Sequence, residues 1–249
     1  MGIMGAVRKK FIFDLDDTLI PTNQAYDDAR IEFYNWLTMR FGYKCPSMHD
    51  VLIHEEKVNN RNKRKYGYMM ERFPTSFRET YEHLCKGLGQ KPTKREGAEV
   101  YDIGMSVFDK KKIKRNGMLP GAKETLEYLA QKEAALYMLT KGDPRIQEPK
   151  LALNRLYKWF DKSRIQIVQE KTPEIMLEML SGDTNAAYAV GNHYGSDIVP
   201  ALKAGIKAVY IPFETWPYNQ EVKKLVKRSR KVIKLDNIGD IKAAYNRLR

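Results

Sequence analysis

The sequence has few of the features of secreted or membrane proteins. Its 249 residues include only two cysteines, too few for a disulfide-stapled scaffold and typical of the reducing cytosol. No apolar run approaches the roughly 18 residues needed to cross a bilayer, which excludes a transmembrane segment. The first seven residues reach Arg8 and Lys9 too soon to form a signal peptide. We therefore expect a cytoplasmic protein without a membrane partner.

Acidic residues are scarce relative to basic ones. Lys and Arg total 44 against 31 Asp and Glu, which gives a formal net charge of +13. Such a chain favours anionic partners, from phosphorylated metabolites to nucleic acid. Basic residues cluster at 57–65, 110–115 and 223–234. The favoured interpretation of each cluster is a solvated helix face, and steering of a charged substrate or contact with nucleic acid is the alternative.

The pattern of apolar residues divides the chain into two regions. From about residue 117, short strand-like runs alternate with helical patterns, which predicts a parallel α/β sheet covered on both faces. The apolar run at 10–15 predicts a further strand of that sheet. Residues 21–116 show helical patterns, beginning with a helix at 25–40, and no alternating strand. The sequence therefore predicts an α/β core of residues 1–20 and 117–249 with an inserted all-helical domain of residues 21–116.

The predicted elements can be placed along the chain by these patterns. Breaks in the helical region are expected near Phe73-Pro74, Gly87-Leu88-Gly89 and Pro92. In the α/β region, strands are predicted at 10–15, 135–139, 164–168, 186–190 and 208–211, and helices at 122–132, 144–154, 173–180 and 197–204.

Polar residues follow the predicted strands, at the edge where open α/β sheets bind ligands. The strand-end residues that we select as site candidates are Asp14, Asp16, Thr140, Lys141, Lys171, Asn192 and Asp197. Carboxylate oxygens suit a hard cation such as Mg²⁺, while hydroxyl, ammonium and backbone N–H groups suit a phosphate. One carboxylate attacking phosphorus, with a second moving protons, would divide a difficult displacement into two steps.

These residues carry a resemblance that spans nearly the whole chain. Asp14-Leu15-Asp16-Asp17-Thr18, then Thr140, Lys171 and Gly191-Asn192-x4-Asp197, resemble in order the four motifs of the haloacid dehalogenase superfamily. The resemblance implies a Rossmann-like core and a type 1 helical cap, as in the members similar to phosphoglycolate phosphatase. It also implies that Asp14 is the nucleophile, Asp16 the general acid/base, Thr140 and Lys171 phosphate ligands, and Mg²⁺ the cofactor.

The resemblance favours a phosphatase acting on a small phosphorylated metabolite. Members that cleave carbon–halogen bonds usually lack the second aspartate, because no leaving alkoxide needs a proton, and Asp16 is present here. Asn192 departs from the family, which most often has Asp there, so Asp197 or a water that it holds would supply the remaining charge for Mg²⁺. Two alternatives stay open: a phosphosugar mutase on the same scaffold, or a basic nucleic-acid-binding protein with weak or no phosphatase activity.

Overall fold

The structure is a computed structural model and describes residues 8–213 and 229–248. Across these residues it has one six-stranded parallel sheet, in the order β3-β2-β1-β4-β5-β6. The strands are β1 (Lys10–Phe13), β2 (Ala135–Lys141), β3 (Ile165–Val168), β4 (Ala187–Gly191), β5 (Lys207–Tyr210) and β6 (Val232–Lys234). The predicted parallel α/β fold is therefore confirmed.

The helices in the described part of the chain separate and follow these strands. They are α1 (Asn23–Phe41), α2 (Met48–Tyr66), α3 (Arg72–Gly87), α4 (Lys94–Met105), α5 (Lys110–Asn116), α6 (Ala122–Gln131), α7 (Pro144–Leu153), α8 (Pro173–Met179), α9 (Val199–Lys203) and α10 (Asp240–Ala244). Among these residues, no helix combines the length and the apolar character needed to span a membrane.

The sheet is buried on both faces, which explains why its strands are apolar runs instead of alternating ones. On β1, Phe11 and Phe13 enter one apolar cluster and Ile12 enters the other. The side chains of β4 alternate in the same way, with Tyr188 and Val190 on the Phe11 side. This alternation fixes the register, because a slip of one residue would exchange the two faces.

By its contacts the chain divides into two compact units. The α/β unit comprises the described residues within 1–21, 116–141 and 151–249, and the helical unit comprises 22–115 and 142–150. The segment 142–150 was assigned to the core by the sequence analysis. Its grouping with the helical unit has a physical cause, because Asp143 accepts a hydrogen bond from the Met70 backbone N–H at 3.0 Å and Arg145 pairs with Glu71 at 2.6 Å.

The helical unit has an aromatic core of its own. Phe33 of α1 stacks on Phe77 of α3, with ring centroids 4.3 Å apart, and both side chains are fully buried. Gly104 of α4 lies so close to Pro74 of α3 that a Cβ there would be 2.6 Å from the Pro74 Cα. The close approach of α3 and α4 therefore requires glycine at position 104.

Several details differ from the sequence predictions. The break expected near Phe73-Pro74 lies a few residues earlier: α2 ends at Tyr66, the chain turns at Gly67 with φ of 62°, and α3 begins at Arg72. Pro74 therefore falls in the first turn of α3, where a missing N–H costs little. The helix expected at 197–204 begins as a wide π-type turn at Tyr194–Ile198 before α9. The helix α5, the short strand β6 and the helix α10 were not predicted.

The basic cluster at 223–234 falls largely outside the described residues. Lys223, Lys224, Lys227 and Arg228 lie there, whereas Arg230, Lys231 and Lys234 are described. The favoured interpretation as a solvated helix face, and the alternative of contact with nucleic acid or another partner, both stay predictions.

A carboxyl group lies in the interior of the helical unit. Glu55 of α2 is fully buried, and its Oε2 accepts a hydrogen bond from the Arg30 Nε at 3.0 Å. Its other oxygen, Oε1, has no hydrogen-bond partner among the described residues. Burial raises the pKa of Glu55 above its ordinary value, although the charges of Arg30 and Arg72 oppose that shift.

We predict that Glu55 makes the stability of the protein depend on pH. Because its pKa is raised in the folded state, the folded protein holds the proton more tightly than the unfolded chain. The contribution of Glu55 to the free energy of unfolding is therefore fully present below its unfolded pKa and is lost as pH rises through the folded pKa. Glu55→Gln removes this loss, so the variant gains stability relative to wild type as pH rises above about 4.3, the ordinary pKa of Glu. Urea denaturation on both sides of that pH tests this, and a difference independent of pH would contradict it.

Candidate active site

The loop after β1 places the first site carboxylate. Asp14 directly follows the strand, and its side chain is only 10% exposed. The loop then turns tightly, with the backbone N–H groups of Thr18, Leu19 and Ile20 donating to the Leu15 carbonyl oxygen. This turn brings the Thr18 hydroxyl back to donate to the Asp14 Oδ2 at 3.0 Å. One oxygen of Asp14 is thus oriented by its own loop.

A buried lysine holds the other oxygen. Lys171 lies in the segment between β3 and α8, and its Nζ is 2.6 Å from the Asp14 Oδ1 and 2.7 Å from the Asp197 Oδ1. All three side chains are at most 10% exposed. One ammonium therefore bridges two carboxylates that come from loops far apart in the sequence.

For both Asp14 and Lys171, burial and the charge of the partner shift the pKa in opposite directions. Burial raises the pKa of Asp14 to about 7, Lys171 opposes the shift, and the carboxylates of Asp197 and Asp16 add to it. Burial alone would lower the pKa of Lys171, but the charges of Asp14 and Asp197 outweigh it, so its pKa lies above the ordinary value. Lys171 is therefore held in its charged form, whereas Asp14 is a carboxylate whose ionisation depends on the charges around it.

Asp197 is fixed by the turn that carries it. Its Oδ2 accepts a hydrogen bond from the His193 backbone N–H at 2.9 Å, while Oδ1 accepts from Lys171. The Asp197 side chain packs against Gly191, the last residue of β4, where a Cβ would be 2.4 Å from the Asp197 Cγ. Position 191 therefore has room only for glycine if Asp197 is to stay in place.

The remaining predicted site residues lie at the same edge of the sheet. Thr140 and Lys141 are the last two residues of β2 and not the first residues after it, and Thr140 is fully buried. The Lys141 Nζ donates to the Ser196 Oγ at 2.5 Å. Asn192 follows β4 and is 4% exposed, and Asp16 lies in the loop after β1 and is half-buried. The roles predicted for these side chains stay predictions.

The oxygen atoms at this edge of the sheet are of the kind that would bind a hard cation with modest affinity. Asp14 offers a carboxylate oxygen, Asp16 its backbone carbonyl oxygen and Asn192 an amide oxygen, and hard cations such as Mg²⁺ take oxygen ligands. Within residues 8–213 and 229–248, no group of three or more His, Cys, Asp or Glu side chains is arranged to hold a metal ion. The residue types at this edge therefore suit Mg²⁺, and the positions predicted to hold it stay a prediction.

The family of the chain follows from comparison with known proteins. The profile of the haloacid dehalogenase-like hydrolases matches residues 9–205, most of the chain and all seven site residues. The chain belongs to this family. No curated protein matches the sequence.

Solved structures of this superfamily share the fold. A haloacid dehalogenase-like family hydrolase from Xanthomonas campestris is 23% identical, with a TM-score of 0.76 over 100% of this chain and 94% of the other. A candidate β-phosphoglucomutase from Thermotoga maritima is 19% identical, with a TM-score of 0.64 over 97% and 100%. A candidate hydrolase of the superfamily from Bacillus subtilis, YfnB, bound to magnesium, is 17% identical, with a TM-score of 0.62 over 96% and 99%. At these identities the likeness shows the fold alone.

Three groups that support the site were not among the predicted site residues. Thr18 orients Asp14, Gly191 leaves room for Asp197, and Ser196 accepts a hydrogen bond from Lys141. Thr18 could have been selected from its place in the Asp-Leu-Asp-Asp-Thr run. Nothing in the local sequence distinguishes Ser196 from other loop serines.

We predict that Gly191→Ala disturbs the site through Asp197. The added Cβ would overlap the Asp197 carboxyl group, so the variant should lose about 1–3 kcal/mol of unfolding free energy, the usual cost of overpacking. Any catalytic activity that depends on Lys171 should fall together with the unfolding free energy. Gly87→Ala is the matched control, because nothing lies within 4 Å of a Cβ at Gly87. Equal unfolding free energies for the two variants in urea denaturation would show that the contact is not tight.

Proposed function

We propose that this hydrolase is a phosphatase that cleaves a small phosphate monoester through an aspartyl-phosphate on Asp14. The observation that supports this most directly is the buried contact of 2.6 Å between the Lys171 Nζ and the Asp14 Oδ1. Asp16, whose charge acts on Asp14, stands two residues further along the same loop. A two-step phosphoryl transfer needs a nucleophilic carboxylate, a fixed cation beside it and a second carboxylate that can move protons.

In the proposed reaction each step uses a side chain of this site. A carboxylate oxygen of Asp14 forms a bond to phosphorus as the bond to the leaving alkoxide breaks, and Asp16 gives that alkoxide a proton. Asp16 then takes a proton from the water that attacks the aspartyl-phosphate, which releases phosphate and restores Asp14. Lys171, Thr140 and Lys141 would offset the charge that develops on the phosphoryl oxygens.

The proposal includes Mg²⁺. Asp14, Asp16 and Asn192 would hold it, and Asp197, or a water that it holds, would supply the remaining negative charge. When bound, Mg²⁺ offsets the repulsion between the anionic nucleophile and the anionic phosphate. The magnesium bound to YfnB supports this cofactor by analogy of fold.

We further propose that residues 21–116 act as the substrate-selecting cap and that the protein works in the cytoplasm. The exposed Lys57, Arg61, Arg64 and Lys65 on α2 would favour a substrate that carries negative charge. The substrate class proposed here is a small phosphorylated metabolite.

Two other functions have specific observations in their favour. The fold is shared with a candidate β-phosphoglucomutase, and a mutase would pass the phosphoryl group from Asp14 to a sugar hydroxyl instead of water. The exposed cations of α2 would also suit nucleic acid, in which case retention of nucleic acid should fall steeply with salt.

We predict phosphate release from a panel of phosphate esters in the presence of Mg²⁺, abolished by EDTA and by Asp14→Asn. The variant keeps the volume of the side chain but lacks the nucleophile, so turnover should fall at least about a thousandfold. Asp27→Asn, at an exposed position of α1, is the control and should keep wild-type turnover. Full turnover by Asp14→Asn would exclude the mechanism. A phosphorylated sugar formed without free phosphate would identify the mutase instead.

We also predict that Asn192→Asp strengthens the binding of Mg²⁺. A carboxylate in place of the amide adds a negative charge to the proposed ligand set, so half-maximal activity should require about tenfold less Mg²⁺. Asn154→Asp, at a position outside the site, is a control for charge alone. An unchanged dependence on Mg²⁺ would show that Asn192 does not contact the ion.

A further inference from the structure

A cavity of about 550 Å³ opens in the α/β unit at the amino ends of β2 and β3. Its walls include Glu133 after α6, Leu136 near the start of β2, and Arg164 just before β3. Leu136 lies four residues before Thr140 on the same strand, about 13 Å away at 3.3 Å per residue. The cavity therefore lies at the opposite end of the strands from Asp14, and the proposed reaction does not use it.

Cations outnumber acids on its walls. Arg8, Lys158 and Arg164 face one carboxylate, that of Glu133, so the lining carries a formal charge of +2, three positive charges less one negative. A cleft lined by charges of one sign raises the local concentration of ions of the opposite sign. The cavity is thus complementary to a negatively charged ligand.

Within the protein, the three cations of the cavity use only part of their ability to donate hydrogen bonds. The Arg8 Nε donates to the Glu133 carbonyl oxygen at 2.5 Å, a contact that caps the end of α6, but its two terminal nitrogens have no hydrogen-bond partner among the described residues. The Arg164 guanidinium lies over the Tyr137 ring, 5.3 Å from its centroid, and within the same residues it donates no hydrogen bond. Lys158 makes one long ion pair, 3.4 Å to Glu127, with both groups largely exposed. Such a pair contributes little and can be exchanged for a ligand.

The rest of the lining is apolar and includes an indole ring. Trp159 is half-buried against the core cluster, and Ala130, Ala134 and Leu136 continue its surface. The Lys158 Nζ lies 5.1 Å from the centroid of the Trp159 ring, so cation and ring adjoin. An inorganic anion would leave this apolar surface in water. A ligand with both a planar ring and an anionic group would cover it.

We propose that this cavity is a binding site for a nucleotide, separate from the active site. The base would pack on Trp159 and the apolar wall, as bases stack on aromatic side chains elsewhere. The phosphates would take the terminal nitrogens of Arg8, whose fork geometry matches phosphate oxygens, and the Lys158 ammonium beside the ring. The Arg164 guanidinium, over Tyr137 on the other face of β2, would act only through its charge. A cavity of this volume falls within the usual range for small-molecule sites, about 300–1,000 Å³.

Titration of the full-length protein with ADP by calorimetry tests the site, with pyrophosphate and adenosine as partial ligands. We expect ADP to bind at least about tenfold more tightly than either, because only ADP engages both the cations and the ring. The double variant Arg8→Gln/Lys158→Gln should weaken ADP binding at least about tenfold, and Trp159→Leu should do the same. The control Lys123→Gln/Lys203→Gln removes the same charge at exposed positions outside the cavity and should leave the affinity within about twofold.

A second arm separates the cavity from the active site. Lys171→Met removes the buried cation at Asp14, and ADP affinity should be unchanged in this variant, with circular dichroism checking that it is folded. Equal loss of affinity in the cavity variant and its charge-matched control would overturn the proposal. So would ADP binding no tighter than pyrophosphate, binding lost in Lys171→Met while the fold is kept, or no binding of ADP. None of these outcomes depends on whether the chain proves to be a phosphatase.

Discussion

The ammonium of Lys171 is the group on which the site depends. Two carboxylates, Asp14 and Asp197, are withdrawn from water beside it, and without that cation their mutual repulsion would add to the cost of their burial. A buried ion pair of this kind is expensive to desolvate and adds little to stability. Its retention at the ligand-binding edge of the sheet is therefore better explained by chemistry than by folding.

The fold supplies the three loops that this interaction needs. β1 lies at the centre of the sheet between β2 and β4. Strands β2 and β3 are added on one side of β1 and β4 to β6 on the other, so the loops after β1, β2 and β4 meet at the switch point where such sheets bind ligands. Asp14 comes from the loop after β1 and Asp197 from the turn after β4, while Lys171 enters from the segment after β3. Gly191 completes the arrangement, because any side chain there would displace Asp197.

The sequence was sufficient to predict a strand or a site residue wherever a single local pattern determined it. Apolar runs identified five of the six strands, and the polar residues following them identified Asp14, Lys171 and Asp197, which the structure brings into contact.

The sequence was insufficient where partners are distant in the chain or the pattern is short. The three-residue strand β6 lies among charged residues and forms because β5 offers it an edge. Segment 142–150 joins the helical unit through the pairing of Arg145 with Glu71, which no local pattern encodes. Likewise, Arg8 and Arg164 line one cavity although more than a hundred residues separate them.

Asn192 can be understood from the charges of the selected site candidates. Among them, Asp14, Asp16 and Asp197 contribute three negative charges and Lys141 and Lys171 two positive ones, which leaves −1. Under the proposed function, a bound Mg²⁺ brings this sum to +1, and an aspartate at position 192 would bring it only to zero. In that case the amide would give up affinity for the metal and keep a net positive field for an incoming phosphate dianion. A phosphatase, which has to attract an anion to an anionic nucleophile, would have a reason to use asparagine at position 192.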